Sequence, residues 1–174
     1  MEPFGSFARG AGPVLDGEVV VVNTPGWRHQ HIAGELYLRL RLWIAGAPGR
    51  GMCGMPVDVR VDDRNVYAPD VFWFRAGNVP DLDVVRLPWL PDLAVEVLSP
   101  STRRYDLGVK RERYEQSGVP ELWLVDPRPG ASAPARVLRR SEPKPPVFDL
   151  DVRLTVDDEL ASPQLSGFSL PVSD

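Results

Sequence analysis

Residues 91–127 have the sequence PDLAVEVLSPSTRRYDLGVKRERYEQSGVPELWLVDP, whose pattern predicts the central elements of the structure. The pattern predicts a strand over Leu93–Leu98, a polar turn, and a helix that Asp106 caps and Gly118 ends. A second strand follows over Leu122–Val125, and it is apolar on both faces, as in a strand that is covered on both sides. Two such strands connected through one helix form a parallel unit with a right-handed crossover.

Two charged residues interrupt the apolar positions of this unit. Glu96 lies in the middle of the first strand, and Lys110 lies close to the line that joins Leu107 and Tyr114 on one helix face. A carboxylate on the strand and an ammonium on the inner side of the following helix can point at one spot. The sequence therefore predicts a site between this strand and this helix.

The chain before this unit predicts one long helix and several strands. A strand is expected over residues 18–23, and apolar residues recur at helical spacing from Trp27 to Ala45. Alternating valines at 57–61 predict a half-buried strand, and Val66–Phe74 is expected to return antiparallel to it. Inside that returning strand, Pro69 predicts a bulge beside the single charged residue, Asp70.

The chain after the unit predicts a strand over Ala135–Arg139 and a tail of short strands from Val147 onward. The expected order is therefore β, long α, three β, α, β and a small β tail, which is a mixed α/β class.

Length and composition indicate one globular domain over residues 1–174, with a loose Gly-rich segment at 1–16. No apolar run approaches the ~20 residues that a membrane helix needs. The N-terminus lacks a signal-peptide pattern, and the single cysteine, Cys53, is typical of a reducing compartment and of a small core residue. We expect a cytoplasmic protein.

The net charge of −4 argues against a large nucleic-acid footprint. Charge is unevenly distributed, however, because residues 103–113 hold five basic side chains against two acidic ones. Arg103 and Arg104 are ordinarily a solvated turn, but beside the expected site they are candidates for gripping phosphates.

Asp70, Glu96 and Lys110 are the residues whose chemistry least fits a core. Two carboxylates on neighbouring strands repel each other, and a divalent cation between them removes that cost. Few, hard oxygen ligands suit Mg²⁺, which takes the rest of its shell from waters and substrate phosphates. A nearby lysine can orient or deprotonate the attacking water and stabilise the transition state. The spacing thus predicts metal-assisted phosphodiester hydrolysis.

Structural alternatives exist for each of these residues. Asp70 can cap the bulge at Pro69, Glu96 can form a buried ion pair, and Lys110 can extend along the helix edge into solvent. Arg111 competes with Lys110 for the same role. Further structural interpretations are that Asp92 satisfies a turn, His29 forms a structural hydrogen bond, Trp73 and Trp123 are core, and Tyr114 is core with a hydroxyl that can reach the site.

The motifs of the chain resemble those of the Uma family, a large bacterial family assigned as restriction endonucleases of the PD-(D/E)XK superfamily. The residues that carry the resemblance are Pro69-Asp70, the PDL of 91–93, the EVLSPS of 96–101, Asp106, Lys110, Tyr114, the GVPE of 118–121 and the WLVD of 123–126. The likeness runs from the helix around His29 to the GFSLP of 167–171.

The resemblance implies a restriction-endonuclease-like fold, a central mixed β-sheet flanked by helices with an αβββαβ core and the site at one edge. It implies a DNA endonuclease that uses Mg²⁺ or Mn²⁺, with Asp70 and Glu96 as metal ligands and Lys110 as the catalytic lysine. In the superfamily's usual motif the lysine lies two residues after the second acid, where this chain has Leu98. Glu35 matches an extra acid on the first helix, and a homodimer that cuts two strands is expected.

A different class of function stays open, namely a catalytically inactive nucleic-acid-binding or protein-interaction module on the same fold. The acidic balance and the displaced lysine favour it. Hydrolysis of RNA or of a branched structure is a further alternative, which these residues do not separate from the cutting of duplex DNA.

Overall fold

The computed structural model describes residues 14–15, 18–19, 25–99, 103–141 and 147–173. In chain order its elements are β1 (Val14–Leu15), β2 (Glu18–Val19), α1 (Trp27–Ala45), β3 (Met52–Gly54), β4 (Val59–Arg60), β5 (Val66–Tyr67), β6 (Val71–Phe74), β7 (Leu93–Val97), α2 (Arg103–Tyr105), a π-helical segment (Asp106–Lys110), α3 (Arg111–Ser117), β8 (Glu121–Val125), β9 (Ala135–Arg139), β10 (Leu150–Leu154), β11 (Glu159–Ala161) and β12 (Ser169–Pro171).

A mixed six-stranded sheet in the order β10-β9-β8-β7-β6-β3 forms the centre of the fold. The pair β7 and β8 is parallel, and the helix of residues 103–117 connects its two strands. The other neighbours in this sheet are antiparallel. The predicted parallel unit and the mixed α/β class are both confirmed.

The two faces of the sheet carry separate apolar cores, one under α1 and one under α3. Leu93, Val95 and Val97 of β7 belong to the α1 side, and Ala94 and Leu98 belong to the α3 side. Side chains alternate between the faces of a strand, so Glu96 points to the α3 side. Trp73 and Trp123 are buried on the α1 side, as predicted, and Cys53 is a buried core residue.

The first helix has the predicted bounds, Trp27–Ala45, and buries Ala33, Leu36 and Leu40 against the sheet. The second helix differs from the prediction at its beginning. Its backbone bonding already starts where Arg103 N–H donates to the carbonyl of Ser99 (2.9 Å), so Asp106 is not an N-cap but a buried residue inside the helix. Its end agrees, because Gly118 takes a positive φ of 93°.

The expected strand Val66–Phe74 is wrong as one element. Ala68-Pro69-Asp70 separates β5 from β6, and the two strands belong to different sheets. The reason is tertiary pairing, since β5 pairs with β4 and β1 whereas β6 pairs with β3 and β7. Only Val59–Arg60 of the predicted strand at 57–61 is a strand.

The N-terminal segment is also not uniformly loose, because Val14–Leu15 forms β1 and pairs with β2. Residues 1–13 of that segment and residues 20–23 of the expected first strand lie outside the described residues. No helix in the described ranges combines the length and the apolar character that crossing a bilayer requires.

The tail closes the α1 side of the sheet. Strand β10 extends the sheet beyond β9, and β11 and β12 form an antiparallel pair. Phe168 stacks on Trp123, and Leu165 is buried in the same core. The tail is thus part of the core that supports the parallel strands.

Candidate active site

The candidate site is centred on a contact between β7 and the connecting helix. Nζ of Lys110 lies 2.6 Å from Oε2 of Glu96, and the two side chains are only 14% and 5% exposed. Lys110 is the last residue of the π-helical segment. Such single π-turns inside α-helices are frequent at functional sites, because they alter the direction of the helical side chains. The structure brings the two predicted residues together.

Asp70 lies beside the same strand, at the break before β6. Its Oδ2 accepts a hydrogen bond from the backbone N–H of Val97 at 2.8 Å. The register pairs Val71 with Val95, so the residues before and after this pair, Asp70 and Glu96, lie next to each other across the two strands. The site is therefore at the ends of central strands β6 and β7 and not on an edge strand of the sheet.

His29, near the start of α1, is the residue of this group that sequence reasoning missed as part of the site. Its Nε2 lies 3.2 Å from Oδ2 of Asp70, and the imidazole is 11% exposed. Its Nδ1 is buried without a hydrogen-bond partner in the described part of the chain. The bond to Asp70 raises the pKa of His29, despite an opposing effect of burial. The predicted structural hydrogen bond thus exists, and its acceptor is a candidate ligand.

Tyr114 fixes the second oxygen of Glu96. Its hydroxyl donates to Oε1 at 2.8 Å, and the side chain is fully buried. Tyr67 lies under Lys110, with Nζ 5.6 Å from the ring centroid, and its hydroxyl accepts a bond from Tyr105 at 3.0 Å. The aromatic residues therefore hold the Lys110–Glu96 pair from one side.

The electrostatics of the site reflect several carboxylates around one ammonium. Burial raises the pKa of Glu96 to about 7, because desolvation and the charge of Asp70 outweigh the attraction of Lys110. Burial lowers the pKa of Lys110, but the charges of Glu96, Asp106 and Asp70 more than compensate and leave it raised. Asp106 contributes from 4.0 Å. At neutral pH the amine is therefore an ammonium, able to donate hydrogen bonds but not to accept a proton.

The remaining predicted site residues lie apart from this centre. Glu35 is 42% exposed, and its ion-pair contact is with Arg39, at 3.9 Å. It lines a cavity of about 240 Å³ between α1 and the tail, which includes none of Asp70, Glu96 and Lys110. No described contact connects Glu35 to the site, and its place there stays a prediction.

Arg103 binds the carboxylate of Asp126, just after β8, and Arg104 is exposed on α2. Arg111, the competitor for the lysine role, faces Glu115 at 3.4 Å. Asp92 behaves as predicted and satisfies a turn, since it accepts bonds from the backbone and side chain of Arg75 and from Asn78.

A second buried carboxylate, Glu121, was not singled out from the sequence. It is fully buried and accepts five hydrogen bonds, in a set that ties β8 to β9 and the tail; the donors are Trp123 Nε1, two nitrogens of Arg139, Ser162 Oγ and Gln164 Nε2. Its donors lie on β8, on β9 and in the connection between β11 and β12, and none of them belongs to the site. Only its position at the start of a both-faces-apolar strand could have signalled that it is buried.

Asp70 and Glu96 are the side chains that could hold a cation at this site. Across the described ranges, no three or more His, Cys, Asp or Glu side chains are grouped so as to hold a metal ion. Both contacts of Asp70 fall on Oδ2 and leave Oδ1 unengaged by them. The centre thus offers hard oxygen donors beside a fixed ammonium.

Comparisons with known proteins agree with this architecture. The model of a family described as "Putative restriction endonuclease", Uma2, matches residues 13–173. A crystal structure of a protein from Anabaena variabilis, described as "a putative nuclease belonging to DUF820", has a TM-score of 0.75 over 93% of this chain and 87% of that chain. The identity to that protein is 16%, so this likeness shows the fold alone. No curated protein matches the chain.

The family match covers nearly the whole chain and confirms the resemblance drawn from the motifs around Asp70, Glu96 and Lys110. It also agrees with the mixed sheet and with the restriction-endonuclease-like fold expected from it. The chain belongs to the Uma2 family, whose model is described as "Putative restriction endonuclease".

Proposed function

We propose that this chain is a metal-dependent endonuclease that hydrolyses phosphodiester bonds of DNA, with Asp70 and Glu96 holding Mg²⁺ or Mn²⁺. The observation that carries the proposal is the 2.6 Å contact between the Lys110 ammonium and the buried Glu96 carboxylate, on the strand next to Asp70. A buried ion pair seldom improves stability over an apolar replacement. A chemical role therefore explains the presence of this pair in the core better than a contribution to stability does.

The donor set is compatible with Mg²⁺. This ion binds one or two carboxylates and keeps several waters, so a site without three protein ligands is adequate. Each carboxylate oxygen has two lone pairs, so Glu96 can accept from Lys110 and Tyr114 and still have acceptor capacity left. The raised pKa of Glu96 also supports the proposal, because a second positive charge would offset the desolvation, and the repulsion by Asp70, that raise it.

Each residue of the site would then have a separate role in the reaction. When bound, the metal would polarise a phosphoryl oxygen and lower the pKa of a coordinated water. Lys110, held as an ammonium by Glu96, orients the attacking water and stabilises the negative charge that develops on the phosphoryl group. Tyr114 fixes the orientation of Glu96, and the Val97 N–H with His29 fixes that of Asp70. Cutting of both strands would use a homodimer.

A catalytically inactive binding module is the second candidate. The specific observation in its favour is that Lys110 is already engaged by Glu96, while the position where the superfamily's usual motif has its lysine holds the buried Leu98. In that case the ion pair would be structural, and the module would bind a nucleic acid or a protein without cutting.

A cleavage assay separates the two candidates. Supercoiled plasmid, linear duplex DNA and RNA are incubated with the protein in Mg²⁺, Mn²⁺ or EDTA, with Asp70→Asn, Lys110→Ala and Arg111→Ala alongside. The endonuclease predicts metal-dependent cleavage by the wild type and Arg111→Ala but not by the other two variants. Arg111 is the matched control because it is the neighbouring cation and its partner is Glu115. Cleavage that survives Lys110→Ala would refute the mechanism, and no cleavage of any substrate would favour the module.

A further inference from the structure

One row of side chains crosses four neighbouring strands on the α3 side of the sheet and begins at the site. Glu96 pairs with Leu124, Leu124 pairs with Arg136, and Arg136 pairs with Arg153. Directly paired residues project from the same face of a sheet. Leu124 is buried under the helix, so the two arginines share the face of the candidate metal ligand but lie beyond the covered part of the row.

Arg136 and Arg153 line a basic cleft that lies beyond the end of β8. A cavity of about 190 Å³ is lined by four arginines against one aspartate; its charged residues are Arg103, Arg128, Arg136, Arg153 and Asp126. We call this cavity, with the four arginines that line it, the arginine cleft. It is positively charged on a chain whose net charge is −4, so it is a local feature and not a property of the whole surface.

The four arginines of the cleft differ in their ion-pair contacts. Arg103 and Arg128 both bind the carboxylate of Asp126, and Arg136 binds Asp151 through two nitrogens, at 2.7 and 2.5 Å. Arg153 is exposed and forms no ion pair with any residue that the structure describes. One carboxylate shared by two guanidinium groups leaves positive charge over, and such a surface attracts an anion.

We propose that the arginine cleft binds the phosphodiester backbone of the substrate strand beyond the end of β8, beside the ends of β6 and β7 where the candidate site lies. This inference rests on the proposed function for its substrate. Arginine suits the role because its planar guanidinium matches two oxygens of a phosphate. The strand would thus be held by contacts that carry no base information.

The dimensions of the row agree with a polynucleotide. Neighbouring strands lie about 4.8 Å apart, so the three steps from Glu96 to Arg153 span about 14 Å. A strand of B-DNA advances about 3.4 Å per nucleotide along the helix axis, so a duplex whose axis follows the row would have Arg153 about four nucleotides from the scissile phosphate. Arg136, two strands from Glu96, would contact a phosphate between them.

Binding in the absence of metal tests the cleft separately from cleavage. A fluorescent duplex of about 20 base pairs is titrated with full-length protein in EDTA at several salt concentrations, and the slope of log K against log salt is measured. The variant is Arg153→Gln, and the matched control is Arg41→Gln. Both arginines are exposed and form no ion pair in the described part of the chain, and Arg41 lies on α1, which packs on the other face.

Arg153→Gln is expected to weaken binding by about three- to tenfold and to reduce the salt slope by about one, uniformly across DNA sequences. Arg41→Gln is expected to change neither quantity. The double variant Arg136→Gln/Arg153→Gln should lose more affinity than Arg153→Gln, with an unchanged circular dichroism spectrum. Support for the cleft requires this difference between the two single variants.

Equal affinities and slopes for Arg153→Gln and Arg41→Gln would overturn the cleft, as would a wild type that binds no DNA. Cleavage by the wild type together with equal binding would leave the proposed endonuclease intact and reject the cleft alone. If binding depends on the cleft but the wild type cuts nothing in Mg²⁺ or Mn²⁺, the cleft would stand and the proposed endonuclease would be rejected.

Discussion

Lys110 and Glu96 form an ion pair of 2.6 Å between a helix and a strand that the fold packs face to face. The pair is buried, and it lies on the same side of the sheet as Tyr114, which donates to the other oxygen of Glu96. Each member depends on the other for a charged partner in a low-dielectric environment. Substitutions of either residue therefore affect both stability and the proposed chemistry, and the two effects can be separated.

The first prediction concerns the amine. Lys110→Met should lower the rate of DNA cleavage by about 100-fold or more, because one fixed donor at developing charge is worth about this much. Removing one member of a buried pair typically costs about 3–5 kcal/mol in the free energy of unfolding. The loss in the free energy of unfolding should be smaller at pH 6 than at pH 8, since the pKa of Glu96 is about 7 and its protonated form tolerates burial. Initial cleavage rates and urea denaturation measure the two effects.

The control for this substitution is the double variant Lys110→Met/Glu96→Gln, which removes both charges. It should recover part of the lost stability but none of the cleavage, as neutral replacement of a buried pair is often tolerated. Wild-type cleavage rates in Lys110→Met would show that the amine has no part in the reaction.

The second prediction concerns metal binding. Mn²⁺ or Mg²⁺ should raise the melting temperature of the wild type, because a ligand present at 100 times its Kd stabilises the folded state by about 2.7 kcal/mol. Asp70→Asn and Glu96→Gln should each remove this rise, which thermal unfolding in metal and in EDTA would detect. Glu35→Gln should keep it, since Glu35 contacts Arg39 and lines a different cavity. A metal-dependent rise that disappears in Glu35→Gln would restore Glu35 to the site.

Much of the fold follows from local pattern. The bounds of α1 and of the strand Ala135–Arg139 match the prediction residue for residue, and Gly118 ends its helix in the left-handed conformation. These elements have strong apolar periodicity or a backbone position that only glycine adopts readily. Local physical chemistry is sufficient for such segments.

The differences arise where a distant partner decides. Residues 66–74 look like one strand, but β1 and β7 pair with its two halves and divide it at Pro69. Asp106 is a good capping residue by type, yet the helix already begins where the carbonyl of Ser99 accepts its first bond. Neither partner can be read from the residues nearby.

The same distinction applies to the site. Asp70, Glu96 and Lys110 were recognisable because they are charged residues in apolar surroundings. His29 was not, because its spacing from His31 excludes a paired metal site and its real partner, Asp70, is distant in sequence. Its contact depends on how α1 packs across the ends of the strands, which no local pattern encodes.

The third prediction concerns the hydroxyl that orients Glu96. Tyr114→Phe should destabilise the protein by about 1–3 kcal/mol, because it leaves one oxygen of a buried carboxylate without its donor. It should also slow metal-dependent cleavage, since Glu96 loses one of its two fixed contacts. Tyr105→Phe is the matched control, as it removes a neighbouring hydroxyl that donates to the hydroxyl of Tyr67 at 3.0 Å. Equal stability losses and equal rates for the two variants would contradict a special role for Tyr114.

The fourth prediction is that stability in EDTA falls as the pH rises from about 5 to about 8. Folding raises the pKa of Glu96 from 4.5 to about 7, so between these values the folded state binds more protons than the unfolded state and loses stability as pH increases. The raised pKa of His29 acts in the same direction, because its contribution is complete below 6.5 and is lost as the pH passes the folded-state value.

Urea denaturation at closely spaced pH values measures this slope. Glu96→Gln should flatten its lower part and His29→Gln its upper part. Asp62, Asp126 and Asp151 have lowered pKa values, so their titrations lie in more acidic solution and do not mask the effect. Stability that rises across this range in the wild type would show that the site is not organised as described.

The last prediction separates the two buried glutamates. Glu121 accepts five hydrogen bonds, including two from Arg139, so Glu121→Gln leaves the Arg139 guanidinium without its countercharge. The expected loss is about 3–5 kcal/mol in the free energy of unfolding. Replacing both partners with Glu121→Leu/Arg139→Met should recover only part of this loss, because Trp123, Ser162 and Gln164 still lose their acceptor. Because its donors belong to β8, β9 and the tail, Glu121→Gln should keep the metal-dependent rise in melting temperature that Glu96→Gln removes. Glu121→Gln could also lose that rise although it is folded before heating. Metal binding would then depend on the α1 side of the sheet, and Asp70 and Glu96 could not be the complete set of protein ligands.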